Sequence, residues 1–465
     1  MNNQEAGTSS HAVYIQGINP SLISLRFTCN IYPSDYAFFS EKILPVDPTT
    51  TNLLNQVRKL NENGKFSAIY VVPNTLREVN PSSFTPRVVS IGPLHKGLAN
   101  LKSVESKKPK DMKELLLIVG SLEEMSDTCM KKVRGSIKEI RRYYFGMDDH
   151  KFYNDDELVE MMVMDACFIL LFIYKLPVTG NLFSDNKLRS RNIALDLVML
   201  ENQIPFFVLQ DIYNLTIGKL QPESTLTSML KVLLDHINPF EQPLIDENVG
   251  TETTHYHILG LLHKFYQRIN FRLPIIEAVP IAHSAVELDK VGVKIRANKM
   301  LSWPMAIEFE YPPLSSHKPI LKMPVVRIDN FFEVVFRNLI AYEQYSPVEN
   351  YVTSYAMAMH MLAATPEDIS KLGKSGVIFS HLGSNEKASD MISSICKNIN
   401  LLDFYYTEAW TNIAQYYDSY WLRNLAVFKR TYIDTPWKAI ALLAAIIVFF
   451  ITVIQFFRQL VTPLL

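Results

Sequence analysis

IALDLVMLENQIPFFVLQDIY, Ile193 to Tyr213, is a mostly apolar core segment that carries the polar cluster Glu201-Asn202-Gln203 ahead of Pro205. A segment this apolar belongs in an interior rather than on a surface. Proline has no N–H and clashes with the preceding turn, so the spacing predicts two helices meeting at Pro205. The backbone groups freed there need partners if they are buried, and Glu201, Asn202 and Gln203 stand where they would supply them. A second run, MMVMDACFILLFIY from Met161 to Tyr174, carries a single acid, Asp165, and is too short to cross a bilayer. Two such core helices fit the composition of the whole chain. Its 465 residues are 48% hydrophobic and 20% charged, enough to bury a large core and to exclude general disorder. Lysine and arginine number 46 against 47 acids, so nothing in the net charge of -1 calls for nucleic acid as a partner. Cys29, Cys129, Cys167 and Cys396 lack the spacing of a zinc module or a disulfide scaffold.

Working outward, helical spacing recurs over Met112–Tyr144, over Leu226–Ile237 until Asn238-Pro239, and over His257–Tyr266. Between Ser82 and Gly97, SSFTPRVVSIGPLHKG is punctuated by Pro86, Gly92, Pro93 and Gly97 and predicts a structured loop with a short strand at Arg87–Ile91. The basic run Lys107, Lys108, Lys110 and Lys113 reads as a solvated loop and helix start, with membrane-surface contact as the alternative. A period of two over Met305–Tyr311 marks a strand, with Gly292–Ala297 and Lys322–Ile328 as expected antiparallel partners and Pro324 at an edge. Helix resumes with Asn330 as N-cap and Glu333 reaching back, and again at Thr365-Pro366 and at Ser384. The expected fold is predominantly α with a small antiparallel β-sheet (α+β). Its divisions are a variable region 1–64, a globular domain 65–430, a juxtamembrane linker 431–438, a span 439–457 and a tail 458–465.

From Ala439 to Phe457 the sequence AIALLAAIIVFFITVIQFF has no charge, and at about 1.5 Å rise it measures about 28 Å, close to the hydrocarbon thickness of a bilayer. Trp437 and Lys438 at one edge and Arg458 at the other match interfacial anchors. The lipid bilayer is therefore an expected partner of this C-terminal helix. Arg423, Lys429, Arg430 and Lys438 before the span outnumber Arg458 after it, which predicts a single-pass protein with its large domain in the cytoplasm. The N-terminus has neither a basic nor an apolar region of a signal peptide, in keeping with anchoring by the tail.

Chemistry is poorly advertised. Asp165 and Glu201, carboxylates in apolar segments, and His95 in the turned loop are the candidates for an acid site, and each has a structural reading as a hydrogen-bonded core or loop residue. His255, His257 and His263 do not fall together on a regular helix as metal ligands would. Gly373-Lys374-Ser375 resembles the end of a phosphate loop but lacks its earlier glycine and strand. No cofactor or metal is expected.

The motifs SSFTPRVVSIGPLHKG, MMVMDACFILLF, LDLVMLENQIPFFVL, AHSAVELDKVGVKI and PWKAIALLAA, in this order, resemble the plant domain-of-unknown-function 247 family (UPF0481-type membrane proteins) from about Ser67 onward. The matched positions are Pro86, Ser90, Gly92, Pro93, His95, Gly97, Asp165, Phe168, Glu201, Asn202, Gln203, Pro205, Phe206 and Gly292. The resemblance implies a plant protein with one C-terminal span and no established enzymatic activity, acting through an unidentified protein partner. Some grass members of the family are implicated in self-incompatibility. Leu171 stands where the family commonly has a glutamate, and Lys96 where a second histidine is common, which removes an acid dyad with Asp165.

Overall fold

The computed structural model describes residues 68–144, 153–176, 187–244, 255–268, 282–298, 303–310, 319–432 and 436–461. The region 1–64 and the expected tail lie outside these residues, apart from the helical positions up to Val461.

Helices of eight residues or more are α1 (Lys108–Val119), α2 (Leu122–Gly135), α3 (Asp155–Lys175), α4 (Lys187–Asp196), α5 (Phe206–Leu215), α6 (Leu226–Ile237) and α7 (Ile258–Phe265). They continue with α8 (Asn330–Tyr345), α9 (Tyr351–Leu362), α10 (Pro366–Lys374), α11 (Asn385–Ile395), α12 (Thr407–Tyr432) and α13 (Pro436–Val461). Helix α3 is the axis of the first half. Asn154 and Glu157 close a capping box at its start, three acids occupy its first turn, and Lys175 lies in its last, so both termini suit the helix dipole. Its thirteen buried side chains, from Leu158 to Ile173, face all round because α1, α2 and α5 pack on it. In the second half α8 packs on α9 and α11, burying Phe332, Val335, Phe336, Leu339 and Ile340 as their spacing predicts. Its N-cap is Asp329 rather than Asn330: the Asp329 carboxylate accepts the N–H groups of Phe331 and Phe332, both at 2.9 Å. Thr365 with Asp368, and Ser384, cap α10 and α11 as read from the sequence.

The segment that decides the fold differs from its reading. Helix α4 ends at Asp196, nine residues before Pro205, and 197–205 is a buried, non-helical connection into α5. Arg87–Ile91 is not a strand either: it bends at Arg87 and Val88 and is held by the partners described below.

The expected antiparallel sheet is mixed. Strands β1 (Lys294–Ala297), β2 (Glu308–Glu310) and β3 (Ile320–Met323) lie in the order β1-β3-β2, with β1 parallel to β3 and β2 antiparallel to it. Pro324 ends β3, since a residue without an N–H cannot continue a ladder. Strand β4 (Val326–Ile328) joins a separate parallel pair with β5 (Ile378–Ser380). The sheets stay small beside the helices.

Helix α13 contains the expected span. Among the described residues no helix is long and apolar enough to cross a membrane. The side chains described without interruption run from Ile440 to Phe456, about 25 Å at about 1.5 Å rise and short of a full crossing.

His257 is the N-cap of α7. Its Nδ1 accepts the Gly260 N–H at 2.9 Å and its Nε2 donates to the Ala68 carbonyl at 3.1 Å, a pairing only the neutral ring provides. Burial drives its pKa down to about 3 and that of His255 down to about 4. The folded values lie below those of the open chain, so this stabilisation is complete above about pH 6.5 and is lost as pH falls toward 4. The urea midpoint should drop over that interval, with His257 contributing on the order of 3 kcal/mol. His257→Asn keeps a cap acceptor without the titration and should flatten the profile; parallel profiles for the two proteins would contradict this account.

Candidate functional site

The loop from Phe84 to Gly97 is irregular and partly buried, and side chains rather than a neighbouring strand meet its backbone N–H groups. The Asp196 carboxylate, at the end of α4, accepts three successive N–H groups: Arg87 at 2.9 Å, Val88 at 2.7 Å and Val89 at 3.0 Å. Asn202 accepts the Ile91 N–H at 2.7 Å and donates to the carbonyls of Val89 and Asp196 at 3.1 and 2.9 Å. Asp165, from the middle of α3, accepts the Gly92 N–H at 2.7 Å. Lys108, the first residue of α1, donates to the Ser90 carbonyl at 2.5 Å and to Asp165 at 2.6 Å, and also pairs with Glu105. Lys108 is thus 2% exposed, in contrast to the solvated lysine expected from the basic run. A buried acid in α3 and a carbonyl in the loop supply the partners that water would otherwise provide.

Glu201 and Gln203 extend the network. Glu201 accepts from the Val72 N–H and the Arg77 guanidinium, and its other oxygen lies 3.0 Å from His95 Nε2 without hydrogen-bond alignment. Gln203 Nε2 donates to the carbonyls of Leu197 and Met199, both at 2.8 Å, while its oxygen accepts the Leu259 N–H at 3.3 Å. The cluster Glu201-Asn202-Gln203 therefore satisfies buried backbone, as its place before Pro205 suggested. Gln203 serves the break itself, Asn202 serves both the break, at the Asp196 carbonyl, and the distant loop, and Glu201 reaches distant residues alone. Burial raises the Asp165 carboxyl above the usual range, with Lys108 and Gly92 opposing the rise. Burial raises Asp196 to about 6 against its three N–H donors. Glu201 is also pushed up by burial, but His95, Arg77 and Val72 hold it below the ordinary value.

Gly92 is fixed by geometry. Its φ is +72°, and a Cβ there would lie 2.4 Å from the Gln203 carbonyl oxygen and 3.0 Å from the Tyr144 hydroxyl. That hydroxyl donates to the same carbonyl at 2.9 Å. Pro86, Pro93 and Pro205 are buried as well, and the Phe206 ring meets His255 edge-on at 5.2 Å. Phe168 stacks on Phe172 along α3, with ring centroids 6.4 Å apart. Gly97 is exposed with φ +94°, and Gly292, with φ +88°, turns the chain into β1 away from the loop. The structure thus joins Ser90, Gly92, His95, Asp165, Glu201, Asn202 and Gln203 in one network. It adds Arg77, Lys108, Asp196 and Asn338, which the sequence reading missed. Asn338 Oδ1 accepts the Leu200 N–H at 2.9 Å and its Nδ2 donates to the Ser83 carbonyl at 2.8 Å. The signal available for Asp196 was an acid inside an otherwise apolar run, the same one that drew attention to Asp165.

Asp165 and Glu201 are 1% and 3% exposed, and their oxygens are engaged in holding backbone and cations. The aromatic cleft lined by Trp303, Tyr405 and Tyr406 contains neither of them, nor His95. Among the described residues no group of three His, Cys, Asp or Glu side chains is arranged to hold a metal. His263 instead bonds Glu343 at 2.9 Å and the Tyr351 hydroxyl at 2.9 Å inside the core.

Asp165→Asn would set an amide N–H against either Lys108 or the Gly92 N–H and leave the buried ammonium with Glu105 as its one counter-charge, at a cost of about 3 kcal/mol. Thermal and denaturant melts should register that loss in full. A variant melting like the parent would show that the pair does not hold the loop. Gly92→Ala forces both a left-handed alanine and a backbone collision, and should leave little folded protein by circular dichroism.

The chain matches, over residues 69–451, the DUF247 family, described as a plant protein of unknown function. It is 27% identical to the UPF0481 protein At3g47200 of Arabidopsis thaliana over 85% of this chain and 87% of that one. To the putative UPF0481 protein At3g02645 of the same plant it is 23% identical, over 84% and 89%. No solved structure matches it. With the family match running through both halves of the fold and across the Ser90–Gln203 network, the chain belongs to DUF247, a plant family of unknown function.

Proposed function

We propose that this chain is a membrane-anchored recognition protein, held to a bilayer by α13 and presenting its helical domain to a protein partner. The observation that carries the reading is the state of α13. Ile440, Leu443, Ile446, Ile447, Val448, Phe449, Phe450, Ile451 and Ile454 are each 47% to 63% exposed, so a nearly uncharged helix shows large apolar side chains all round. In water that surface would carry a large hydrophobic penalty, at about 25 cal/mol per Å². With Ala439 and Phe457 included, the apolar run reaches spanning length, and Trp437, Lys438 and Arg458 sit at its edges as interfacial residues do. The excess of Arg423, Lys429, Arg430 and Lys438 before the run favours a cytoplasmic domain. The recognition role is supported by the polar groups suited to catalysis being engaged in holding the loop, and by the self-incompatibility role implicated for some grass members of the family.

The anchor is tested by extracting membranes with alkaline carbonate. The full chain should stay in the pellet, and a chain lacking 436–465 should move to the supernatant. Protease added to sealed microsomes should then digest the domain; protection of the domain would reverse the orientation, and carbonate release of the full chain would remove the anchor.

A further inference from the structure

Helix α1 presents a surface that neither its own packing nor the loop network explains. Its inward side holds Lys108, Leu115 and Leu116 against the core. At about 100° per residue, Lys110, Lys113 and Leu117 fall within about 60° of one another on the opposite side, and all three are exposed. Leu117 is 54% exposed, Ile118 beside it 42%, and Leu98, just upstream, 36%. Exposed Lys102 and Lys107 precede the helix. The acids of this stretch are drawn elsewhere: Glu105 pairs with buried Lys108, Glu114 with Lys175 at 2.7 Å, and Asp111 is partly buried. Among the described residues no ion pair is formed by Lys102, Lys107, Lys110 or Lys113.

The neighbouring helix shows what an ordinary solvated face of this protein looks like. On α2, Lys131 pairs with Asp127 at 2.6 Å, and Arg134 pairs with Asp156. Mixed charge satisfies that face locally, whereas on the outer face of α1 the acid Glu114 is taken by Lys175, and Lys110 and Lys113 are left without an ion pair among the described residues. Exposed lysines on one helix face with an exposed leucine, and an isoleucine next to it, suit a boundary between water and anionic lipid.

We propose that the outer face of α1, with Lys102 and Lys107, is a peripheral contact for anionic lipid headgroups, in which the lysines engage the headgroup charge and Leu117 and Ile118 enter the boundary. This rests on the membrane-anchored reading, because a tether raises the local concentration of bilayer surface enough for a small patch to engage. The contact would fix how the domain sits on its membrane.

The test uses the full chain in nanodiscs of phosphatidylcholine alone or with about one third phosphatidylserine. Acetylation by a water-soluble reagent is followed at Lys107, Lys110 and Lys113, with Lys131 as the reference. The expected result is acetylation roughly threefold slower at the three lysines in the anionic discs only, restored by salt of about 0.5 M, with Lys131 unchanged. The double variant Lys110→Glu, Lys113→Glu should enter discs as the parent does and lose the dependence on lipid charge at Lys107. Equal rates in both discs would overturn the proposal, as would slowing that is the same in neutral discs. If the chain enters neither kind of disc, the anchor reading fails, and the patch is then judged by pelleting the same chain with phosphatidylserine-rich or phosphatidylcholine vesicles. Salt-sensitive pelleting with the first alone would support the contact, and its absence would overturn it.

Discussion

Six residues of irregular, largely buried backbone, Arg87 to Gly92, have no neighbouring strand, and the first half of the domain is organised by that fact. A buried N–H left unpaired costs about 1–3 kcal/mol, so five unpaired groups would cost about as much as the whole stability of a typical domain. Here the acceptors are side chains: Asp196 for three groups, Asn202 for one, Asp165 for one. Each comes from a different place in the chain, namely the end of α4, the connection that follows it, and the centre of α3. Satisfying the loop therefore fixes how those three pieces stand relative to one another. The polar residues in the apolar segments are the specific part of the core, since apolar contacts alone would tolerate many arrangements.

The pair of Lys108 and Asp165 follows from the same demand. A lone carboxylate at the centre of α3 would be costly to bury, and an ammonium at the start of α1 equally so. Together, with the Ser90 carbonyl and the Gly92 N–H as further partners, they share a site that neither would occupy alone. Such a pair need not add net stability over an apolar substitute. Its effect is register: the charges meet only if the first turn of α1 faces the middle of α3 and the loop passes between, which sets the packing of the two helices and points the opposite face of α1 outward.

Much of the helical half was legible because periodicity reports burial directly. The faces of α6 and α8, the caps at Thr365 and Ser384, and the polar cluster before Pro205 were all readable from spacing. What misled were residues whose partners are remote in sequence. Lys108 looked solvated in a run of lysines, since nothing local reveals that Asp165, 57 positions away, waits for it. Arg87–Ile91 looked like a strand because it is a short run with two valines and an isoleucine between proline and glycine breaks, and such a run is silent on whether another strand or side chains such as Asp196 will satisfy its N–H groups. The end of α4 was placed at Pro205 because proline is the strongest local breaker, yet Asp196 turns its carboxylate to the loop and stops the helix earlier. The parallel pairing of β1 with β3 was likewise invisible, since period two is the same in either direction.

These misreadings share a cause that bears on the site. A catalytic carboxylate and a structural one look alike in sequence, because both are acids in apolar surroundings, and they differ only in where their lone pairs go. In an acid site at least one oxygen faces a space that a substrate can enter. At Asp165 one oxygen faces Lys108 and the other the Gly92 N–H, and at Asp196 both oxygens accept from backbone. The same electrostatics that would tune an acid for chemistry are spent here in keeping a strand-like loop in place. The outside differs from this interior: α13 shows large apolar side chains, and Lys110 and Lys113 of α1 stand without the acid that Lys108 finds inside.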